Sequence, residues 1–221
     1  DQVTGVNSWP DREAAPARTY HYRVRARNPL GWSEFSAPAS GSQTFRLWQI
    51  TFTNFIAGTP TLAPDGSLRV AFYGTTNGLA ALNPDGSVRW EAPLERPLSG
   101  FVVGPDGTTY IGSVPDEIVA VSPLGAIRWR AVVDGHLAIP AFNHLETAFA
   151  LSADGLLFVP SEQNGLQVFG PSGESMAFGT VKSVGALAPV LASDGGVFLT
   201  SHNTPATLLD RNGQLRWRAS G

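Results

Sequence analysis

The chain has 221 residues, 43% of them apolar and 15% charged, a balance that supports a hydrophobic core and excludes a disordered polymer. Its net charge of −3 leaves no basic footprint for nucleic acid or an anionic membrane, and the absence of cysteine removes disulfides, Cys-based zinc sites and thiol nucleophiles together. No apolar run approaches the ~18 residues of a membrane span, and 24 glycines and 17 prolines predict many turns between short strands. The first residue is Asp1 rather than Met, so a processed chain or a fragment is expected. Residues 1–44 carry five arginines against four acids. Within them residues 20–27 alternate apolar and polar side chains, the period of a strand with one buried and one wet face. Asn28-Pro29-Leu30-Gly31 reads as a turn, and residues 32–39 as the returning antiparallel strand.

Pro16, Tyr20 four places on, the inward alternation Tyr22, Val24 and Ala26, and then Asn28, Gly31, Trp32, Ser33 and Ser36-Ala37-Pro38 form a pattern. It resembles the C-terminal half of a fibronectin type III domain. The resemblance implies that Tyr20 is the corner tyrosine, hydrogen-bonding back to the backbone. The family usually has Leu two places before that proline, where Ala14 stands here. A complete domain of this type needs about 100 residues and seven strands, so residues 1–44 are expected to be a truncated β-sandwich.

From residue 45 onward the chain repeats itself. Asp65-Gly66, Asp106-Gly107, Asp154-Gly155 and Asp194-Gly195 recur at spacings of 41, 48 and 40, and Gly86, Gly125, Gly173 and Gly213 at 39, 48 and 40. Two registers moving together at periods near 40 predict propeller blades. The unit at 60–90 reads as four short strands, A to D, with Asp-Gly turns between A and B and between C and D. Four blades are expected at about 58–94, 99–132, 139–179 and 186–219, making the chain all-β: a partial β-propeller, part of a larger ring, after the truncated sandwich.

Each unit carries a small residue, Gly five places on, and Trp four further. Ala81, Gly86 and Trp90 fit it, as do Ala120, Gly125 and Trp129. Gly213 and Trp217 fit with Leu208 in place of the small residue, and Gly173 is followed by Ala177-Phe178 where Trp should be. The pattern resembles the tryptophan-docking repeat of pyrroloquinoline-quinone-type propellers. The resemblance implies that the Trp covers the gap between neighbouring blades while the small residue and Gly let it lie flat. In that family's dehydrogenases the cofactor sits over the ring centre with a calcium ion, and many carry an adjacent Cys pair. This chain has no Cys and shows no matching calcium-binding set, so the repeat implies a scaffold without a cofactor. Trp48 precedes Asp65 by 17 residues, as Trp90 precedes Asp106 and Phe178 precedes Asp194 by 16. Trp48 therefore falls at a strand D position, and the outer strand at 44–52 is expected to close a later blade beyond Gly221.

In an up-and-down blade the Asp-Gly turns emerge on one face, and the B–C loops and inter-blade connections on the other. That second face carries Thr75-Thr76-Asn77, Pro115-Asp116-Glu117, Glu162-Gln163-Asn164 and His202-Asn203-Thr204, with connections 92–100, 131–147 and 179–187. It is the expected ligand face, since binding residues sit on loops held by rigid scaffolds. The Asp-Gly pairs read as turns rather than calcium loops. His136 and His144 form no recognised metal spacing, and Asp116, Glu117 and Glu162 read as surface acids rather than glycosidase carboxylates. The Arg-Trp pairs at 89, 128 and 216 read as solvated outer strands, and no nucleophile elbow or phosphate loop is present.

The expected function is a non-catalytic extracellular or surface-attached binding scaffold of bacterial origin, recognising a protein or polysaccharide, with no nucleic-acid partner and no membrane insertion. The alternative is part of a propeller enzyme, a quinone-dependent oxidoreductase or a polysaccharide-degrading one, whose catalytic residues lie elsewhere. A periplasmic assembly factor built on the same repeat stands third, because fibronectin-like modules are typical of extracellular architecture. One lysine, Lys182, against 14 arginines hints at a GC-rich genome.

Overall fold

Short apolar runs punctuated by Gly and Pro leave the backbone little choice but strands joined by tight turns. The computed structural model describes residues 18–42, 49–137, 149–176, 189–201, 204–210 and 213–219, and among these all regular structure is β-strand. The chain divides into two compact units, Asp1–Gln49 and Ile50–Gly221.

In the first unit β1 (Thr19–Tyr22) pairs antiparallel with β4 (Ala39–Ser42), and β2 (Arg27–Asn28) forms a hairpin with β3 (Gly31–Trp32). The single strand expected over 20–27 is instead interrupted at 23–26. There two serines replace the regular ladder. Ser36 donates its N–H to the Val24 carbonyl at 2.8 Å and accepts from the Val24 N–H on Oγ at 3.1 Å. Ser33 does the same with Ala26, at 2.9 Å in both directions. A side-chain oxygen standing in for a carbonyl keeps the backbone satisfied while releasing the strand register. Tyr20 lies in β1 opposite Gly41, its ring tilted against Tyr22 at 6.3 Å. Pro16 and Ala14 lie outside the described residues.

The second unit holds four antiparallel sheets in chain order. The first contains β5 (Phe55–Ile56), β6 (Thr61–Leu62), β7 (Leu68–Tyr73), β8 (Gly78–Leu82) and β9 (Val88–Pro93), with β5 and β6 both pairing with β7. The second contains β10 (Pro97–Val103), β11 (Thr109–Ser113), β12 (Glu117–Val121) and β13 (Ile127–Val132). The third contains β14 (Ala150–Leu151), β15 (Leu157–Ser161), β16 (Gly165–Phe169) and β17 (Ser175–Met176). The fourth contains β18 (Val190–Leu191), β19 (Val197–Ser201), β20 (Thr204–Leu209) and β21 (Leu215–Arg218). These are blades of a partial propeller. Residues 49–52 of the expected outer strand carry no strand, and Trp48 lies outside the described residues.

Burial follows position in the blade. The inner strands β8, β11, β15 and β16 are buried along their whole length, whereas β9 and β13 are mostly wet. Inner strands buried on both faces need neighbours on both sides, so the apolar clusters lie between sheets. Leu79 and Ala92 of the first blade pack with Ile111 and Val119 of the second. Tyr110 and Ile118 pack with Leu157 and Phe169 of the third, and Phe158 and Leu166 with Val197 and Leu209 of the fourth.

Three of the four C–D hairpins share one irregularity. The register shifts between Ala81 and Leu82, between Ala120 and Val121, and between Leu208 and Leu209. In each case the extra residue on the outer strand is the arginine before the tryptophan: Ala81 faces Trp90 while Leu82 faces Val88, leaving Arg89 as the bulge. In these hairpins the turn glycine takes a positive φ, +86° at Gly86 and +85° at Gly125, where a side chain would be strained. A bulge re-aims the side chains next to it.

Candidate functional site

On the turn face the re-aimed arginines reach back across their own blades. Arg89 meets Asp65 at 2.6 Å and Arg128 meets Asp106 at 2.7 Å, and Arg216 pairs with Asp194 in the same way. Each aspartate also caps its own A–B turn, accepting the N–H two residues on: Ser67 at 3.1 Å, Thr108 at 3.0 Å and Gly196 at 2.9 Å. The Asp-Gly turns are thus held by an intrablade clasp, and the Arg-Trp arginines, exposed on the outer strands as expected, belong to it. Asp65 is held below the usual carboxylate range first by the Ser67 hydroxyl, with Arg69 and Arg89 adding their charges against burial. Burial alone would push Asp106 up; the Thr108 hydroxyl and N–H and Arg128 outweigh it and leave it low. The Arg216 hydrogen bond does the same for Asp194.

At the seams the tryptophans leave their own blade. Trp90 lies flat on Gly125 of the second blade, where an added Cβ would sit 2.8 Å from its ring, and its indole N–H donates to the Pro123 carbonyl at 2.8 Å. Trp129 does the same to the third blade, with Gly173 at 2.7 Å and the Pro171 carbonyl at 2.9 Å. Ala81 and Ala120, the register partners of the two tryptophans, are fully buried. Trp217 is 48% exposed and stacks on Phe198 of its own blade. Met176 and Ala177 occupy the Arg-Trp position of the third blade, Leu208 faces Trp217, and Gly213 takes φ +80°. Phe178 lies outside the described residues.

One partner of the tryptophans has no counterpart elsewhere. Tyr110 lies 5.7 Å from Trp129 and Phe198 lies 6.0 Å from Trp217, each from strand B. In the first blade that place belongs to Arg69, fully buried, its guanidinium 5.0 Å from the Trp90 ring. Arg69 donates Nη1 to Ser67 Oγ and stands 4.0 Å from Asp65, while its Nε and Nη2 have no hydrogen-bond partner.

The loop face is a set of ties. Asp116 accepts from His136 Nδ1 at 2.7 Å and from the Leu137 N–H at 2.9 Å, and Glu117 pairs with Arg130. Glu117 opens β12 rather than lying in a loop. The connection after β13 is clamped from the third blade: Glu162 N–H donates to the His136 carbonyl and Gln163 N–H to the Gly135 carbonyl, both at 3.0 Å. Asn164 Nδ2 reaches the Asp134 carbonyl at 3.1 Å, and Ser161 Oγ donates to it at 2.6 Å. His136 takes φ +64°, uncommon outside glycine, and the clamp holds it there. The Asp116 hydrogen bond raises the His136 pKa above its ordinary value, and the charges of Asp116 and Glu162 add to this. In the first blade Asn54 bridges Thr76 Oγ1 at 2.8 Å and the Thr75 N–H at 3.0 Å, and Asn77 Nδ2 donates to the Glu95 carbonyl. His144, His202 and Asn203 lie outside the described residues.

The first blade also carries an aromatic platform. Phe55, 69% exposed, stacks on Tyr73 at 5.5 Å, and the Arg96 guanidinium lies 5.8 Å over the Tyr73 ring. Sequence reasoning missed it, because Phe55 falls before the first predicted blade and pairs with β7 as an extra strand. Among the described residues no group of three or more His, Asp or Glu side chains gathers as a metal site.

The family model described as Outer membrane protein assembly factor BamB matches residues 75–220. No curated protein matches the sequence. Among solved structures, a protein of unknown function from Bacteroides caccae has a TM-score of 0.54 at 14% identity, covering 83% of this chain and 74% of that one. At that identity the likeness is one of fold. The family match spans about two thirds of the chain and includes both docked tryptophan seams, and the chain therefore belongs to this BamB-like family of pyrroloquinoline-quinone-type propeller repeats.

Proposed function

We propose that the chain is a non-catalytic binding scaffold that recognises a protein or polysaccharide through the propeller loop face. The observation that carries this reading is the exposed Phe55–Tyr73 stack with Arg96 over it. Aromatic rings beside a guanidinium are the commonest anchors of binding surfaces. Asn54 and Asn77 fix the loops around the platform, so ligand binding there needs little ordering. Acids weighed as catalytic carboxylates have structural partners, Asp116 in His136 and Glu117 in Arg130. The family description, Outer membrane protein assembly factor BamB, supports a polypeptide ligand and is compatible with a periplasmic or cell-surface location. The first unit fits the C-terminal part of a fibronectin type III-like module, a reading supported by the β1–β4 pairing and the serine-tied strand.

The test is an array of outer-membrane-protein peptides and bacterial polysaccharides probed with wild type, Phe55→Ala and Arg96→Ala. A ligand held by wild type and lost about tenfold or more in both variants, roughly 1.4 kcal/mol each, is the expected result. Equal capture by wild type and Phe55→Ala, or no capture at all, overturns the proposal.

A further inference from the structure

We propose that Arg23, Arg25 and Arg27 of the first unit form an anion-binding strip that takes an acidic polysaccharide. The three alternate along the chain and interleave with two rings of the returning segment. Arg23 lies 5.0 Å from Phe35, Arg25 4.8 Å from Phe35 and 4.2 Å from Trp32, and Arg27 5.3 Å from Trp32. The order Arg23–Phe35–Arg25–Trp32–Arg27 is a continuous stack, so successive guanidiniums stand no more than about 10 Å apart. Three like charges at that distance repel, and the ring faces are what offsets the repulsion.

The stack leaves binding capacity unused. All three arginines are exposed, and among the described residues none has a carboxylate within 4.0 Å or a hydrogen-bond acceptor. Stacking engages the guanidinium face and leaves its N–H edge, a fork matched to carboxylate or sulfate oxygens. Residues 18–42 carry four arginines against Glu34 alone, a positive segment on a chain of net charge −3. At the Arg27 end a groove of about 310 Å³ opens, lined by Ala26, Arg27, Asn28, Leu30 and Trp32. Trp32 remains 46% exposed, with ring surface for a sugar to cover.

The partner follows from the number and spacing of the charges. Duplex nucleic acid is gripped by about 6–10 phosphate contacts, and anionic membranes by clusters of about 4–8 basic residues. Three guanidiniums in file, interrupted by rings, fit a linear chain with one oxyanion every sugar or two and with apolar ring faces between. This strip lies on the first unit, and its ligand is independent of the loop-face reading.

The experiment is titration of the full chain with polyuronate and with a sulfated glycan at low salt, and with a DNA duplex and phosphatidylserine vesicles at equal charge. The expected loss is roughly fivefold per arginine replaced, so Arg23→Gln, Arg25→Gln and Arg27→Gln together weaken glycan binding about a hundredfold. The triple Lys variant keeps the charge and loses the fork, and serves if the Gln variant misfolds; it is expected to bind about tenfold more weakly than wild type. Glycan binding equal to wild type in both triple variants, no glycan binding by wild type, or tighter binding to duplex or vesicles overturns the proposal.

Discussion

Replacing Arg69 by tyrosine should make the protein more stable. Arg69 is a charged side chain with no exposed surface, and burial draws its pKa down from the ordinary arginine value. Two of its donors, Nε and Nη2, are unsatisfied, and its nearest carboxylate is 4.0 Å away. A buried donor without a partner costs about 1–3 kcal/mol, and exchanging buried ionic groups for well-packed apolar ones is often stabilising by about 1–4 kcal/mol. Against this stand the loss of the Arg69–Trp90 contact, about 0.5–2 kcal/mol, and of one cation near Asp65, which keeps Arg89 at 2.6 Å. The second blade shows what fits: Tyr110 occupies the equivalent place and packs on Trp129, an aromatic pair worth about 0.5–1.5 kcal/mol. The net expectation for Arg69→Tyr is a gain of about 1–3 kcal/mol, or roughly 2–4 °C in Tm per kcal/mol for a chain of this size. Urea titration followed by tryptophan fluorescence measures it, with Arg69→Ala as the cavity-forming control that should lose stability. A loss of 1 kcal/mol or more in Arg69→Tyr at unchanged m-value would refute the reasoning and mean that the two free donors hold something.

The seams and the loop face give three further predictions. Trp129→Ala should destabilise by about 3–5 kcal/mol, and Trp217→Ala, at a half-exposed site, by less than about half of that. Gly173→Ala should be destabilising alone, because its Cβ meets the Trp129 ring at 2.7 Å and φ is +87°. In a double-mutant cycle with Trp129→Ala much of that loss should vanish, and simple additivity would show that the two residues do not dock. His136 should titrate above 6.5, as read from its imidazole proton shifts, and fall back in Asp116→Asn. Since the folded pKa is raised, the His136 clamp contributes its full stabilisation below pH 6.5 and loses it as pH rises through the raised value; a wild-type midpoint at or below 6.5 refutes the coupling.

The blade repeat and its tryptophan seams were legible because each rests on chemistry with few substitutes. A turn at positive φ wants Gly, and a flat ring over backbone wants Gly beneath it, so Gly125 and Trp90 mark their own roles. The Asp–Arg clasp was less legible, though its signal was present: Asp65 and Arg89, Asp106 and Arg128, and Asp194 and Arg216 are separated by 24, 22 and 22 residues. An arginine beside a tryptophan on an outer strand looks unpaired until a bulge turns it back over the blade. Arg69 was invisible, because alternation alone places it on a wet face. The loop-face residues read as ligand candidates, such as Asp116 and Asn164, could not be told from ties, since both uses select the same side chains. The aromatic platform depends on an extra strand at Phe55, and the arginine stack on ring partners from the returning segment; neither follows from local pattern.

The third blade, with Met176 and Ala177 where the others carry Arg-Trp, breaks the uniformity of the array. The sequence has no tryptophan between Trp129 and Trp217, and among the described residues the third and fourth sheets meet through the cluster around Phe158 and Leu199. In a quasi-linear array, cooperativity is limited by the smallest nearest-neighbour coupling. The first three sheets are bolted pairwise and should melt as one block. The fourth carries its own Asp194–Arg216 clasp, and with the smallest described coupling to its neighbour it is expected to part first on heating, which hydrogen exchange of the β19 and β20 amides would read.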